Sequence, residues 1–286
     1  MVLVIGQSTQ SDTRVERPPS GLGRLWFFLF LSLVGSWVIW LSPSGSQGTF
    51  SFNVFGWHIA IPFLLIKLLF GNCAPGAIAL VFALLEGKQQ LQQILSSLLR
   101  WRAPFRYYLF SCALPLSVFY ASLALTRLYF PWPRLVLSPT RFLLELAFTL
   151  PFGPLWEELA WRAYTLRKLQ VHYSQLTSAL ILGLYWGAWH IPLWELTLGL
   201  SRTTGVQVWG AGMITILSLS IIFTSLFNRT GHSLPVVILL HGVYASASHN
   251  MFVNVRTGQI ECLGLSALLF TCIAVGFGAG MRRQLA

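Results

Sequence analysis

The chain has 286 residues, of which 55% are hydrophobic and 9% charged, and a mean hydropathy of +0.66. A soluble domain of this length would carry far more charge, so the composition excludes a soluble globular enzyme and describes a polytopic membrane protein. The net charge of +11 does not point to nucleic acid, because most basic residues lie in short loops beside apolar runs, where they set topology.

Residues 1–24 read as a cytoplasmic polar tail, Pro-rich to residue 20. The run Leu25–Leu41 is longer than a signal-peptide core, lacks an Ala-x-Ala-like cleavage site and follows Arg14, Arg17 and Arg24, so it reads as a retained first span. Further spans are expected at 53–86, 107–129, 138–166, 178–198, 207–227, 234–253 and 260–281. The expected fold class is all-α: a polytopic transmembrane helical bundle of about eight spans, forming one transmembrane domain over 25–286.

The second run is interrupted by Gly71-Asn72-Cys73-Ala74-Pro75 and reads as one kinked crossing. An even number of crossings keeps Lys88, Arg100, Arg102 and Arg106 on the same side as the first arginines. With eight spans, twelve basic residues fall inside (Arg14, Arg17, Arg24, Lys88, Arg100, Arg102, Arg106, Arg167, Lys168, Arg229, Arg282, Arg283) and five outside (Arg127, Arg134, Arg141, Arg202, Arg256). Both termini are therefore expected in the cytoplasm. Between spans two and three, Leu91, Ile94, Leu95, Leu98 and Leu99 recur at helical spacing among Gln and Ser, as in an amphipathic helix lying at the bilayer surface. The lipid bilayer is thus one partner, and the basic loop would attract anionic lipid.

Many of the twelve Trp and eight Tyr sit near run ends and serve as interfacial anchors. Cys73, Cys112, Cys262 and Cys272 show no CxxC spacing and read as buried thiols.

The fourth run carries charges where they are costly. Glu157, Glu158 and Arg162 lie in an apolar stretch that begins near Leu146, and a charged residue at a helix centre costs roughly 2.5–3.5 kcal/mol on insertion scales. Glu158 and Arg162 stand i, i+4 with the acid first, the favoured order for an ion pair. Glu157 is turned about 100° away. Glu158 and Arg162 therefore read as support and Glu157 as the reactive group.

His190 and His241 follow on separate spans and can converge on Glu157; His58, His172, His232 and His249 read as non-catalytic. A glutamate in apolar surroundings opposite a neutral imidazole can activate water, and a second histidine can donate to a tetrahedral oxyanion. The sole aspartate is Asp12, which excludes a two-aspartate protease, and neither His-Glu-x-x-His nor Gly-x-Ser-x-Gly occurs. No cofactor is required by this chemistry. One carboxylate and two imidazoles also form a donor set that zinc accepts, and spacing does not decide between the two.

Glu157-Glu158-x-x-x-Arg162, the aromatic-x-x-x-His pattern Trp186–His190 and the later His241 resemble the CPBP family, which includes CAAX prenyl protease 2 and the bacteriocin-processing or Abi group. The likeness is best over about 140–250 and extends more weakly over 50–280. It implies an intramembrane endopeptidase acting on a peptide or membrane-protein substrate. By that likeness Glu157 and His190 activate water, while His241 and a residue four positions on form the oxyanion hole.

Three positions depart from the family pattern. Trp186 stands where Phe is usual and Ala163 where Gly is common, both expected to be mild. Ala245 occupies the position of an Asn or Asp and offers no side-chain donor; Ser248 is the best-placed substitute on a regular helix. Two other readings compete: a catalytically silent scaffold or immunity-type protein, consistent with Ala245, and a proton-relaying transporter, which lacks a repeat or paired broken-helix signature.

Overall fold

A computed structural model of the protein describes residues 21–42, 48–54, 57–129, 138–198, 202–252 and 259–283. Most of the tail, with Arg14 and Arg17, and the loop residues Arg134 and Arg256 lie outside them. Helix α1 (Gly21–Leu41) is followed by a β-hairpin, β1 (Thr49–Val54) and β2 (Trp57–Pro62), paired antiparallel from Thr49↔Pro62 to Val54↔Trp57. The second crossing therefore begins at residue 63, not 53, and the all-α bundle carries one small sheet. Phe50, Phe52 and Val54 alternate with Ser51 and Asn53, a period of two that fits a strand and that averaged hydropathy conceals. Pro62 holds the preceding residue extended and allows the helix to start after it.

Helix α2 (Phe63–Glu86) runs through Pro75 without interruption, in agreement with a single crossing. Two glycines bring its neighbours close. A Cβ on Gly71 would meet the Trp40 indole at 2.0 Å, and one on Gly76 would lie 2.5 Å from the Trp156 carbonyl oxygen. The second contact sets α2 backbone-to-backbone against the segment that carries Glu157. Ser36 of α1 also donates to the Gly71 carbonyl at 2.7 Å.

Gly87, at φ 113°, turns the chain into the short amphipathic helix α3 (Lys88–Leu98). Ile94 anchors α3 on the bundle, while Leu95 and Leu99 stay exposed, as expected of a surface helix. Helix α4 (Phe105–Thr126) then packs against the two last helices.

The expected span 138–166 is not one helix. It consists of α5 (Pro139–Phe152), the single-turn α6 (Pro154–Glu158) and a π-helical segment, Leu159–Leu166, continued by α7 (Arg167–His172). Pro154 disfavours helical backbone at Gly153, which takes φ −137°, ψ −85° and ends α5. The expected span 178–198 is likewise split at His190 into α8 (Gln175–Trp189) and α9 (Ile191–Leu198), with Pro192 in the first turn of the latter. Helices α10 (Arg202–Arg229), α11 (Leu234–Phe252) and α12 (Gln259–Arg283) complete the bundle.

Among the described residues, five helices are long and apolar enough to cross a membrane: 21–41, 63–86, 105–126, 205–229 and 260–281; Leu234–His249 is a shorter apolar helix. The remaining expected spans are the two broken ones, which hold Glu157 and His190. The protein is an integral membrane protein built as a helical bundle.

One end of the bundle gathers the beginning of α1 against His172, the Arg100 region against Gly231, and Arg229 against Phe277 of α12. The start of α1 and the end of α12 therefore lie at the same end, as an even number of crossings requires.

Candidate active site

The site forms where α6 and the π segment meet α8, α10 and α11. Glu157 ends up buried because Gly76 admits the Trp156 backbone against α2, which presses α6 into the core. The adjacent Glu158 and Arg162 are both fully buried, and Arg162 Nε lies 3.1 Å from Glu158 Oε2. The expected support pair is formed. The Arg162 guanidinium also lies over the rings of Trp186 and Phe223, at 4.7 and 4.8 Å from their centroids. Aromatic faces replace part of the solvation that a buried cation loses.

His241 of α11 joins the two glutamates. Its Nδ1 donates to Glu158 Oε1 at 2.8 Å, and its Nε2 is 4.0 Å from Glu157 Oε2. Glu158 is thereby shared between a cation and an imidazole, which fixes the His241 ring so that Nε2 faces Glu157. His190 closes α8 with Nδ1 donating to the Trp186 carbonyl at 2.8 Å. A carbonyl only accepts, so the neutral ring leaves Nε2 with its lone pair. The ring stacks on Trp194 and meets Trp189 edge-on, and it interacts electrostatically with Glu157 and His241.

The structure assigns Trp186 a larger role than a mild change of aromatic. Its indole Nε1 donates to Glu157 Oε2 at 2.8 Å in a buried contact. The other carboxylate oxygen, Oε1, lies 3.8 Å from where a Gly153 Cβ would stand, on the side of the break before α6. The signal in the sequence was a tryptophan one turn before His190, whose N–H a phenylalanine lacks. Phe223 was not legible in advance, because nothing in its run marks it from the other apolar residues.

All five expected site residues, Glu157, Glu158, Arg162, His190 and His241, converge. On α11, Ala245 lies one turn beyond His241 and presents no donor, and Ser246 rather than Ser248 is the fully buried hydroxyl. Among the described residues, no three His, Cys, Asp or Glu side chains form a group arranged to hold a metal ion. Cys73, Cys112, Cys262 and Cys272 form no disulfide, but the buried-thiol reading holds for Cys262 alone: Cys73 and Cys112 are half-buried and Cys272 is exposed. Cys73 of α2 faces the Phe152 carbonyl at the edge of this site.

Residues 139–247 match the family model described as type II CAAX prenyl endopeptidase Rce1-like. Over 106 residues the chain is 31% identical to CAAX prenyl protease 2 of Methanococcus maripaludis, a match that takes in 36% of this chain and 37% of that relative. The chain thus spans little more than a third of the length of the curated relative it matches. The residues matched by the family model carry the Glu-Glu-x-x-x-Arg motif and the two histidines.

Proposed function

We propose that the protein is an intramembrane endopeptidase that hydrolyses a peptide bond with water activated by Glu157 and His190. The observation that carries this reading is the placement of the buried Glu157 carboxylate between Trp186 and His241, two groups from different helices, with its Oε1 beside Gly153. Water held between Oε1 and His190 Nε2 attacks the scissile carbonyl carbon and gives its proton to this pair, which passes it to the leaving amine. His241, held by Glu158 through Nδ1, donates from Nε2 to the oxyanion. The doubly protonated ring this needs is matched by charge: Glu157, Glu158, Arg162 and His241 then sum to zero. Arg162 keeps Glu158 in place.

The substrate is a peptide or membrane protein, of the CAAX prenyl type by likeness to the matched relative, entering from the bilayer or the cytoplasmic face. Both termini are cytoplasmic, since the end that gathers Arg100, Arg167 and Arg229 is the basic one.

Detergent-purified protein is assayed on fluorogenic peptides, farnesylated and plain, beside Glu157→Ala and His190→Ala, with and without a zinc chelator. Turnover lost in both variants and indifferent to chelator is the expected result. Chelator sensitivity would assign the water to zinc held by Glu157, His190 and His241. Wild type as inert as the variants on every peptide would favour the second reading, a silent scaffold, which Ala245 supports.

A further inference from the structure

We propose that Trp186 is a positioning residue for the reactive glutamate, an inference that rests on the endopeptidase reading above. The tryptophan touches four of the five site residues. Its Nε1–H donates to Glu157 Oε2, its ring carries the Arg162 guanidinium, its carbonyl accepts from His190 Nδ1, and its ring meets His241 edge-on with centroids 5.2 Å apart. It is 1% exposed, so water does not compete for the indole N–H.

The consequence is a division of labour within one carboxylate. A hydrogen bond to an ionised oxygen in a buried site is strong and directional. With Oε2 held by Trp186 and facing His241, the carboxylate plane is set and Oε1 is turned toward Gly153, at the break before α6. Without the indole N–H, rotation about the last torsion of Glu157 is broad, and Oε1 points at water for a smaller fraction of the time. Trp186 therefore acts on the chemical step through Glu157 and not on substrate affinity.

The same side chain aligns His190 through the backbone, so a substitution that keeps the helix separates the two effects. Trp186→Phe keeps the carbonyl and an aromatic face for Arg162 but removes the donor together with part of the buried ring volume. β-(3-Benzothienyl)alanine, introduced at 186 by nonsense suppression, matches the shape of tryptophan with sulfur in place of N–H.

The test measures kcat, KM and thermal midpoint for wild type and both variants. The expected result is a fall in kcat of about ten- to a hundredfold in each, the range for a hydrogen bond to a charged group, with KM within about twofold. The benzothienyl variant should keep its thermal midpoint, and it decides the matter if Trp186→Phe is unstable. Unchanged kcat in the benzothienyl variant overturns the proposal, as does a loss confined to KM.

The contact is also read without turnover. In protein labelled with 15N-tryptophan, the indole resonance absent from Trp186→Phe should move upfield by several linewidths in Glu157→Ala. A resonance that stays in place overturns the proposal even if wild type proves inactive, whereas an inactive wild type with a moving resonance counts against the endopeptidase reading alone.

Discussion

Arg162 is the most exacting test of how the site is held. Its side chain and that of Glu158 are fully buried, with Nε and Oε2 3.1 Å apart. Arg162→Ala leaves Glu158 with only His241 as a charged partner, and breaking a buried pair from one side costs about 3–5 kcal/mol. Loss of the guanidinium from the Trp186 and Phe223 rings adds about 1–2 kcal/mol. At roughly 2–4 °C per kcal/mol for a large domain, the thermal midpoint in detergent should fall by at least about 8 °C. Arg162→Lys keeps the charge but neither the planar fork nor the stacking, so it should lie between. The double variant Glu158→Gln, Arg162→Met removes both charges and should recover most of the stability, since apolar replacement of a buried pair is often neutral. It should not recover turnover, because His241 loses the carboxylate that orients its ring. The reasoning is refuted by a single variant within about 2 °C of wild type, or by a double variant no more stable than the single.

Two further outcomes are expected. Ala245→Asn places a donor one turn beyond His241 on α11 and should raise kcat by up to about two to three orders of magnitude, the worth of one oxyanion-hole donor; an unchanged kcat in a folded variant would show that position 245 does not reach the oxyanion. His232, in the turn between α10 and α11, has its pKa lowered by burial first and then by Arg167 and Arg100, so the fold favours the neutral ring. That contribution is intact above the ordinary value of 6.5 and is lost as pH falls through it. His232→Asn, which tolerates the φ of 73° at this position, should therefore lose less thermal stability than wild type between pH 7 and pH 5, and parallel curves would remove His232 as the cause.

The membrane class, the helical bundle and the five converging side chains were legible in the sequence for simple physical reasons. Charges inside apolar runs are rare because they are costly, so Glu157, Glu158 and Arg162 stood out, and the i, i+4 spacing of Glu158 and Arg162 already specified their pairing. The helix between α2 and α4 was equally visible, because an amphipathic period among Gln and Ser marks a helix with one buried face. The β-hairpin before α2 was missed, since alternation over five residues is lost in a window long enough to detect a span. So was the break at Gly153: Pro151 and Pro154 marked an irregularity, but the π segment that follows depends on what packs against it.

What the tertiary structure alone decided is which atom of each side chain faces which. Sequence spacing brings Trp186 to the helix face below His190, but that its N–H meets Glu157 Oε2, and that Phe223 lies under Arg162, depends on how α6, α8 and α10 cross. Those crossings follow from close packing at Gly76 against Trp156 and at Gly183 against Ser220 and Leu217, contacts between residues far apart in the chain. Local periodicity says which residues share a face; only the packing of one face on another sets the distances at which chemistry occurs.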